Sequence, residues 1–201
     1  MNKVILKTAL ITILSLVAAF IVGVVCIYVF APRVAGNYCY ELGLKNMATE
    51  CYERVYEKSG DFDDLVELVN SAIYAEDDGV VAVYGEEMVK REVEFKNFCD
   101  LSDEELEDVE FTTYDYYFNS TMFAKYALGN KRDATKLAFF GVINGEYNEN
   151  SALKMLVNMI KTDEDLGNLL KEEYLNLGEK QWFAQFDEFR KDMKNVGYPI
   201  S

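Results

Sequence analysis

The stretch from Gly43 to Met88 reads GLKNMATECYERVYEKSGDFDDLVELVNSAIYAEDDGVVAVYGEEM and carries the clearest pattern in the chain. Within it, a glycine is followed by small or apolar residues five, nine and twelve positions later, and the pattern occurs twice, 17 residues apart. The two copies are Gly43, Ala48, Tyr52 and Val55, and Gly60, Leu65, Val69 and Ala72. Residues separated by steps of four and three positions lie on one face of an α-helix. Glycine is common at the C-terminal end of an α-helix. The stretch therefore predicts consecutive helices joined at glycine turns.

The same interval continues along the chain. A weaker third copy consists of Glu76, Val81, Gly85 and Met88. Gly129 is followed by Ala134 and Ala138 at offsets five and nine, and later breaks fall at Gly145, Thr162 and Gly178. The only prolines are Pro32 and Pro199, which lie outside this array, so an almost wholly helical chain is expected.

These breaks also predict where individual helices begin and end. Helices are expected at residues 34–42, 47–58, 61–75, 80–91, 112–128 and 179–195, and Ser102 with Glu105 predicts a further helix start through a capping box. In residues 34–42, one face is expected to carry Tyr38, Cys39 and Leu42. The last helix carries an aromatic stripe of Trp182, Phe183, Phe186, Phe189 and Met193. That stripe fits a packed cap on the array, and the alternative is a peptide-binding groove.

An apolar segment precedes the array. The 25 residues from Thr8 to Pro32 carry no charge, and as a helix they would measure about 37 Å, longer than the ~30 Å hydrocarbon core of a bilayer. A transmembrane helix at residues 8–32 is therefore expected, with residues 1–7 on one side and a helical domain at 34–201 on the other. A cleaved signal peptide is the alternative, but its apolar region is usually shorter. Lys3 and Lys7 place the N-terminus in the cytoplasm and the domain outside it.

Composition excludes several classes of function. The net charge is −15, which disfavours binding to nucleic acid or to anionic lipid surfaces. No histidine occurs, so imidazole-based catalysis is excluded, and no metal site or cofactor is expected. The four cysteines form no CxxC pair, and a disulfide between Cys39 and Cys51 stays open for a domain outside the cytoplasm.

At Gly60, Leu65, Val69 and Ala72 the chain resembles a tetratricopeptide repeat (TPR), in which two helices make a hairpin of about 34 residues. The resemblance covers residues 43–88 and 129–178, although the Trp and Leu-Gly landmarks and the closing Pro of a standard repeat are missing. The whole chain is similar to divergent TPR-like bacterial proteins with an N-terminal transmembrane anchor. The resemblance implies a right-handed α-solenoid of antiparallel hairpins whose concave surface grips a peptide or a helix of another protein.

Three functions follow from these expectations. The leading one is a non-catalytic, membrane-anchored interaction module that holds another protein near the bilayer, with no residues assigned to partner binding. The second is a structural envelope protein that self-associates into a homo-oligomer. The third is a hydrolase that uses paired carboxylates, for which the 35 acidic residues provide material but no pair stands out.

Overall fold

The structure is a computed structural model that describes residues 3–105 and 112–200. Throughout these residues the regular secondary structure is helical, with no β-strand, which confirms the predicted all-α class. The chain divides into two compact units, Met1–Ala75 and Glu76–Ser201. Residues 106–111, which include part of the predicted helix after Ser102, lie outside the described residues.

The first unit is built from four helices in sequence: α1 (Lys3–Phe30), α2 (Pro32–Glu41), α3 (Lys45–Ser59) and α4 (Phe62–Ala75). Helix α3 packs against both α2 and α4. Gly43 and Gly60 adopt left-handed conformations with φ of 72° and 65°. The Gly60 amide donates to the carbonyl of Tyr56 and closes α3, so glycine ends this helix as the pattern predicts.

Most of the repeated positions of the first unit are buried together, and Val55 is half-buried. Ala48, Leu65, Val69 and Ala72 are fully buried, and Tyr52 is 8% exposed. Because α3 and α4 pack against each other, these side chains form the core between consecutive helices.

Helix α2 presents a different face from the expected one. It buries Ala35, Gly36 and Cys39, whereas Tyr38 is 61% and Leu42 72% exposed. The reason is a close approach at Gly36, where an added Cβ would lie 3.2 Å from the Cβ of Cys51 in α3. The absence of a side chain decides which face packs, so the prediction for Tyr38 and Leu42 is wrong.

The second unit contains shorter and less regular elements. They are α5 (Asp78–Val80), a π-helical turn (Val81–Gly85), α6 (Glu86–Lys90), α7 (Glu92–Glu105), α8 (Thr113–Ala127), α9 (Lys131–Asn144), α10 (Ala152–Met159), α11 (Asp165–Asn176), a 3-10 turn (Gly178–Trp182) and α12 (Phe186–Asn195). Helix α8 packs against the π-helical turn, and α9 packs against α8, α10 and α11. Ala134 and Ala138 of α9 are fully buried.

The weak third copy of the pattern begins the second unit. Glu76 stands where the earlier copies have glycine and adopts the same left-handed region, with φ of 57°. Val81, Gly85 and Met88 are all buried. Gly85 lies against α8, because a Cβ there would meet the Thr121 hydroxyl at 2.3 Å. The π-helical turn coincides with this contact, which the sequence pattern could not show.

Two predicted helix boundaries are wrong. Ser102 lies inside α7 rather than at a helix start, so the Ser102 and Glu105 pattern is not a capping box. The expected helix at 179–195 is interrupted, because Phe183 is extended with ψ of 142° between the 3-10 turn and α12. Trp182 is 66% exposed, and the aromatic stripe is thereby divided between an exposed and a buried part.

The buried part of that stripe belongs to an aromatic cluster. Phe186 and Phe189 are fully buried and meet rings from α9 and α11. The Phe189 ring centroid lies 5.3 Å from that of Phe139 and 5.5 Å from that of Tyr174. Aromatic pairs at such separations add to the energy of burial, so this cluster is the main core of the C-terminal part.

The cysteines of the described chain are free thiols, and Cys39, Cys51 and Cys99 are buried. Cys39 and Cys51 are therefore not joined in this structure. Burial raises the pKa of Cys51 above its usual value and that of Cys99 to about 12. Both are consequently protonated and poorly reactive at neutral pH.

Candidate functional site

The most apolar surface of the molecule is helix α1. Residues Lys7–Phe30 have a mean hydropathy of 3.0 over their most apolar window and are not buried by the protein. This is the one helix among the described residues that is long and apolar enough to cross a membrane. Apart from the half-buried Tyr28, every residue from Lys7 to Phe30 is exposed, which is far more apolar surface than a soluble helix leaves in water.

The C-terminal turn of α1 is held by α3 through three hydrogen bonds. Arg54 donates from its two terminal nitrogens to the backbone carbonyls of Tyr28, at 3.0 Å, and Val29, at 3.1 Å. The Tyr28 hydroxyl donates to Glu50 at 2.9 Å, and the Arg54 guanidinium lies 5.2 Å from the centre of the Tyr28 ring. We call these four residues, Tyr28, Val29, Glu50 and Arg54, the α1–α3 brace.

The brace satisfies groups that the helix cannot satisfy by itself. The last carbonyls of an α-helix have no intrahelical donor, and a positive charge beside them is favoured by the helix dipole. Glu50 and Arg54 are one helical turn apart on α3, so both side chains reach the same end of α1. The contacts fix how the C-terminal end of α1 meets α3.

A second surface feature is a groove between α9 and α11. Its cavity of about 210 Å³ is lined by Lys136, Phe139, Phe140, Ile143, Glu173 and Leu177. Four of these six side chains are apolar. Offsets of three and four residues bring the α9 members onto one face, and Glu173 of α11 is followed four residues later by Leu177, which caps the C-terminus of that helix. We call this feature the α9–α11 groove.

The floor of the α9–α11 groove is rigidly supported. Phe139 is 2% exposed and stacks into the buried aromatic cluster, with its ring 5.9 Å from that of Phe186. Phe140, Ile143 and Leu177 are partly exposed. An apolar floor backed by a packed core, with polar groups at its edge, is typical of a binding site.

Ion pairs connect α9 and α11 at Glu173, which also lines the groove. Arg132 donates to both carboxylate oxygens of Glu172, each at 2.9 Å, and to Glu173 at 2.8 Å. The hydrogen bonds from Arg132 lower the pKa of Glu172. Glu173 is largely buried, with its side chain 8% exposed. These pairs hold the two helices at a fixed separation.

Two other cavities are less suited to a partner. One of about 380 Å³ lies beside the C-terminal segment, where Lys161, Glu164 and Asn195 supply half of its lining. One of about 220 Å³ lies between α7 and α8, with Phe95 and Tyr114 among its lining residues. Neither has the largely apolar lining of the α9–α11 groove.

Two charged side chains that are buried on helix α8, Asp115 and Lys125, have polar partners. Lys125 pairs with Glu86; burial opposes ionisation of Glu86, but hydrogen bonds from Lys125 and Lys90 leave its pKa lowered. Asp115 is 6% exposed, and burial raises its pKa against hydrogen bonds from Thr112 and Asn148. These contacts give the buried charges of Lys125 and Asp115 a structural role, so neither side chain indicates a functional site.

The structure does not indicate a metal site. Among the residues it describes, no three His, Cys, Asp or Glu side chains lie where they could hold an ion.

The repeat-core residues named from the sequence do not line either surface feature. In the first unit, Ala48, Tyr52, Leu65, Val69 and Ala72 lie inside the hairpin core. Gly43, Gly60 and Gly129 lie at turns, and Ala134 and Ala138 lie in the core beneath α9.

The groove residues were not identified from the sequence. The neighbouring pair Phe139 and Phe140, with Ile143 one turn later, is the signal available for them. It does not reveal that Phe139 is buried and Phe140 half-exposed.

No protein-family model, curated protein or solved structure matches the chain. The resemblance to tetratricopeptide repeats therefore rests on the sequence pattern alone.

Proposed function

We propose that this protein is a non-catalytic, membrane-anchored interaction module. Helix α1 is its single transmembrane anchor, and the α9–α11 groove receives an apolar side chain from a peptide or helix of another protein. The observation that carries the proposal is the apolar floor of this groove. Phe140, Ile143 and Leu177 surround an open volume that a side chain of the size of Leu or Phe fills.

The helix packing supports a TPR-like array in the second unit. Helix α9 contacts its neighbours α8 and α10 and also α11, while α10 contacts α8 and α12. Contacts to the next helix and to the next but one are typical of stacked hairpins, in which alternate helices share a face. The α9–α11 groove lies between two such alternate helices, where TPR-like arrays bind their ligands.

The anchor defines where the partner is held. Lys3 and Lys7 are the only charged residues before Pro32, which favours a cytoplasmic N-terminus and a domain outside the cytoplasm. Protease added to intact cells is expected to digest the domain, and protection until lysis would reverse this topology.

Photo-crosslinking tests the groove. A photoreactive amino acid at Lys136, on the groove rim, should form an adduct with a different protein in native membranes. The matched control carries the same amino acid at Lys191, exposed on α12, and should not form that adduct. Ile143→Asp should abolish the adduct at position 136, because a carboxylate in the apolar floor would be desolvated by the partner.

Two results would contradict the proposal. Adducts only between copies of this chain would favour the self-associating structural protein. Equal adducts from positions 136 and 191, unaffected by Ile143→Asp, would show that the groove does not select a partner.

A further inference from the structure

We propose that the flank of α3 carrying Glu50 and Arg54 is the surface on which the first unit rests against the membrane, in the phospholipid headgroup layer. The α1–α3 brace then fixes the depth of α1, with the edge of the hydrocarbon at Tyr28. This inference rests on the proposed membrane anchor and adds the position and the residues that set it.

The length of the uncharged segment agrees with this boundary. The twenty residues between Lys7 and Tyr28 form a helix of about 30 Å, which matches the hydrocarbon core. A charged residue stands at one end of this segment, and the hydrogen-bonded Tyr28 stands at the other. Neither end needs to shift for the segment to span the bilayer.

The chemistry of the brace places it in the headgroup layer. Glu50 and Arg54 carry charges that are costly within hydrocarbon, so the hydrocarbon ends before them. Tyrosine is enriched at this depth, because its ring is apolar and its hydroxyl is polar. The Tyr28 hydroxyl donates a hydrogen bond to Glu50, so its polar end has a partner outside the hydrocarbon.

Two neighbouring apolar side chains also fit the headgroup layer. Phe30 is 82% exposed, and Met47, one turn before Glu50 on α3, is 44% exposed. An aromatic ring exposed this fully has no partner within the described protein, and the boundary of the bilayer supplies one. The headgroup layer thus covers Phe30 and Met47 while it solvates the charges of the brace.

The brace therefore makes the first hairpin part of the anchor. Without the hydrogen bonds from Arg54, the last carbonyls of α1 lose their donors and α1 is free to slide or tilt relative to α3. The expected consequence is a loss of fixed depth, with α1 still in the membrane.

Cysteine accessibility tests this in the full-length protein in phosphatidylcholine vesicles, with a membrane-impermeant maleimide on both sides. The native Cys26 is the probe inside the predicted hydrocarbon, and Phe30→Cys in a Cys26→Ser background is the probe outside it. Cys26→Ser alone gives the background from the three buried thiols. We expect position 30 to react at least about tenfold faster than position 26, since the reagent does not enter hydrocarbon.

Arg54→Gln is the decisive variant, and Lys58→Gln, exposed on the same helix, is its control. Arg54→Gln should reduce the ratio of labelling at positions 30 and 26 by about tenfold, which corresponds to ~1.4 kcal/mol. Lys58→Gln should leave the ratio unchanged. An unchanged ratio in Arg54→Gln, or equal labelling of positions 26 and 30 while Arg54 is in place, would overturn the inference.

The failure of the anchor itself has a separate signature. If α1 is not a transmembrane helix, alkaline carbonate will release the protein from the vesicles, and the proposed function fails with it. Retention after carbonate together with an unchanged labelling ratio overturns only the brace.

Discussion

The two units of the chain bury their helices with different kinds of contact. In Met1–Ala75, consecutive helices meet through small and aliphatic side chains such as Ala48, Leu65 and Ala72. In Glu76–Ser201, rings such as Phe139 and Phe189 fill the space between helices. Small residues let helices approach at a regular interval, whereas rings fill irregular gaps. The difference explains why the repeat is clear in the first unit and interrupted in the second.

The aromatic cluster of the second unit should give the largest single effect on stability. Phe189→Ala removes a fully buried ring that meets four others, and the expected loss is about 3–5 kcal/mol. Urea unfolding in detergent measures it. Leu175→Ala is the control, because Leu175 is 51% exposed and should change stability by less than about 0.5 kcal/mol. Similar losses in both variants would contradict the assigned core.

In the first unit, the corresponding test is Leu65→Ala. Leu65 is fully buried in the hairpin core, and its truncation should cost about 2–5 kcal/mol. Hydrogen exchange should show the loss in the amides of α3 and α4, since each helix of an array is stabilised by its neighbours. An unchanged thermal midpoint would count against this core face. Leu156→Ala, at a fully buried position of α10, is the equivalent change in the second unit.

The sequence predicted the first unit better than the second for a physical reason. The bounds of α3 and α4 follow from the glycines at 43 and 60 and from local periodicity, which the chain carries in its own order. The π-helical turn coincides with a close approach of Gly85 to Thr121, a residue 36 positions later. The extended residue Phe183 likewise interrupts a stripe with ordinary helical spacing. Contacts between distant residues decide such features, and periodicity does not contain them.

The candidate sites were less accessible to sequence reasoning than the helices. The apolar segment was identifiable because membrane spans are defined by length and composition. The α1–α3 brace could be identified only from the structure, because Arg54 and Tyr28 are 26 residues apart in the sequence. The α9–α11 groove could likewise be identified only from the structure, because the sequence does not show that Phe140 is partly exposed while its neighbour Phe139 is buried.

Close helix contacts provide a sharper comparison of the two units. Gly85→Ala brings a Cβ within 2.3 Å of the buried Thr121 hydroxyl, and the expected loss is about 1–3 kcal/mol. Gly36→Ala in the first unit meets its nearest atom at 3.2 Å and should cost less. Chemical denaturation compares the two.

A double variant separates steric conflict from other effects at Gly85. Thr121→Ala removes the two atoms nearest to the new Cβ, so Gly85→Ala should cost much less in that background. This non-additivity is the expected signature of a direct contact. Equal losses in both backgrounds would show that the backbone of the π-helical turn, rather than Thr121, requires glycine.

The smallest effect concerns the buried acids, which also differ between the units. Asp64, with its side chain 5% exposed, pairs with Arg33, whereas Asp115 has no Lys or Arg partner among the described residues. Burial therefore raises the pKa of Asp115 above its usual 3.8. The folded state binds this proton more tightly than the unfolded state does, so the contribution of Asp115 to stability falls as pH rises through the interval between its two pKa values.

Asp115→Asn should remove that pH dependence. The amide keeps an oxygen that accepts from the Thr112 hydroxyl. The free energy of unfolding at neutral pH should therefore increase, or fall by less than about 1 kcal/mol. The difference from wild type should shrink as pH falls to 3.8 and below, since the Asp115 carboxyl then becomes neutral in both the folded and the unfolded state. Asp64→Asn should instead lower stability at neutral pH, because Arg33 loses its buried charge partner and keeps only the exposed Glu67, at 3.8 Å. Urea midpoints measured across this pH range decide between the two behaviours. A large loss in Asp115→Asn at neutral pH would mean that the ionised carboxylate is itself stabilised, in contrast to the effect of its burial.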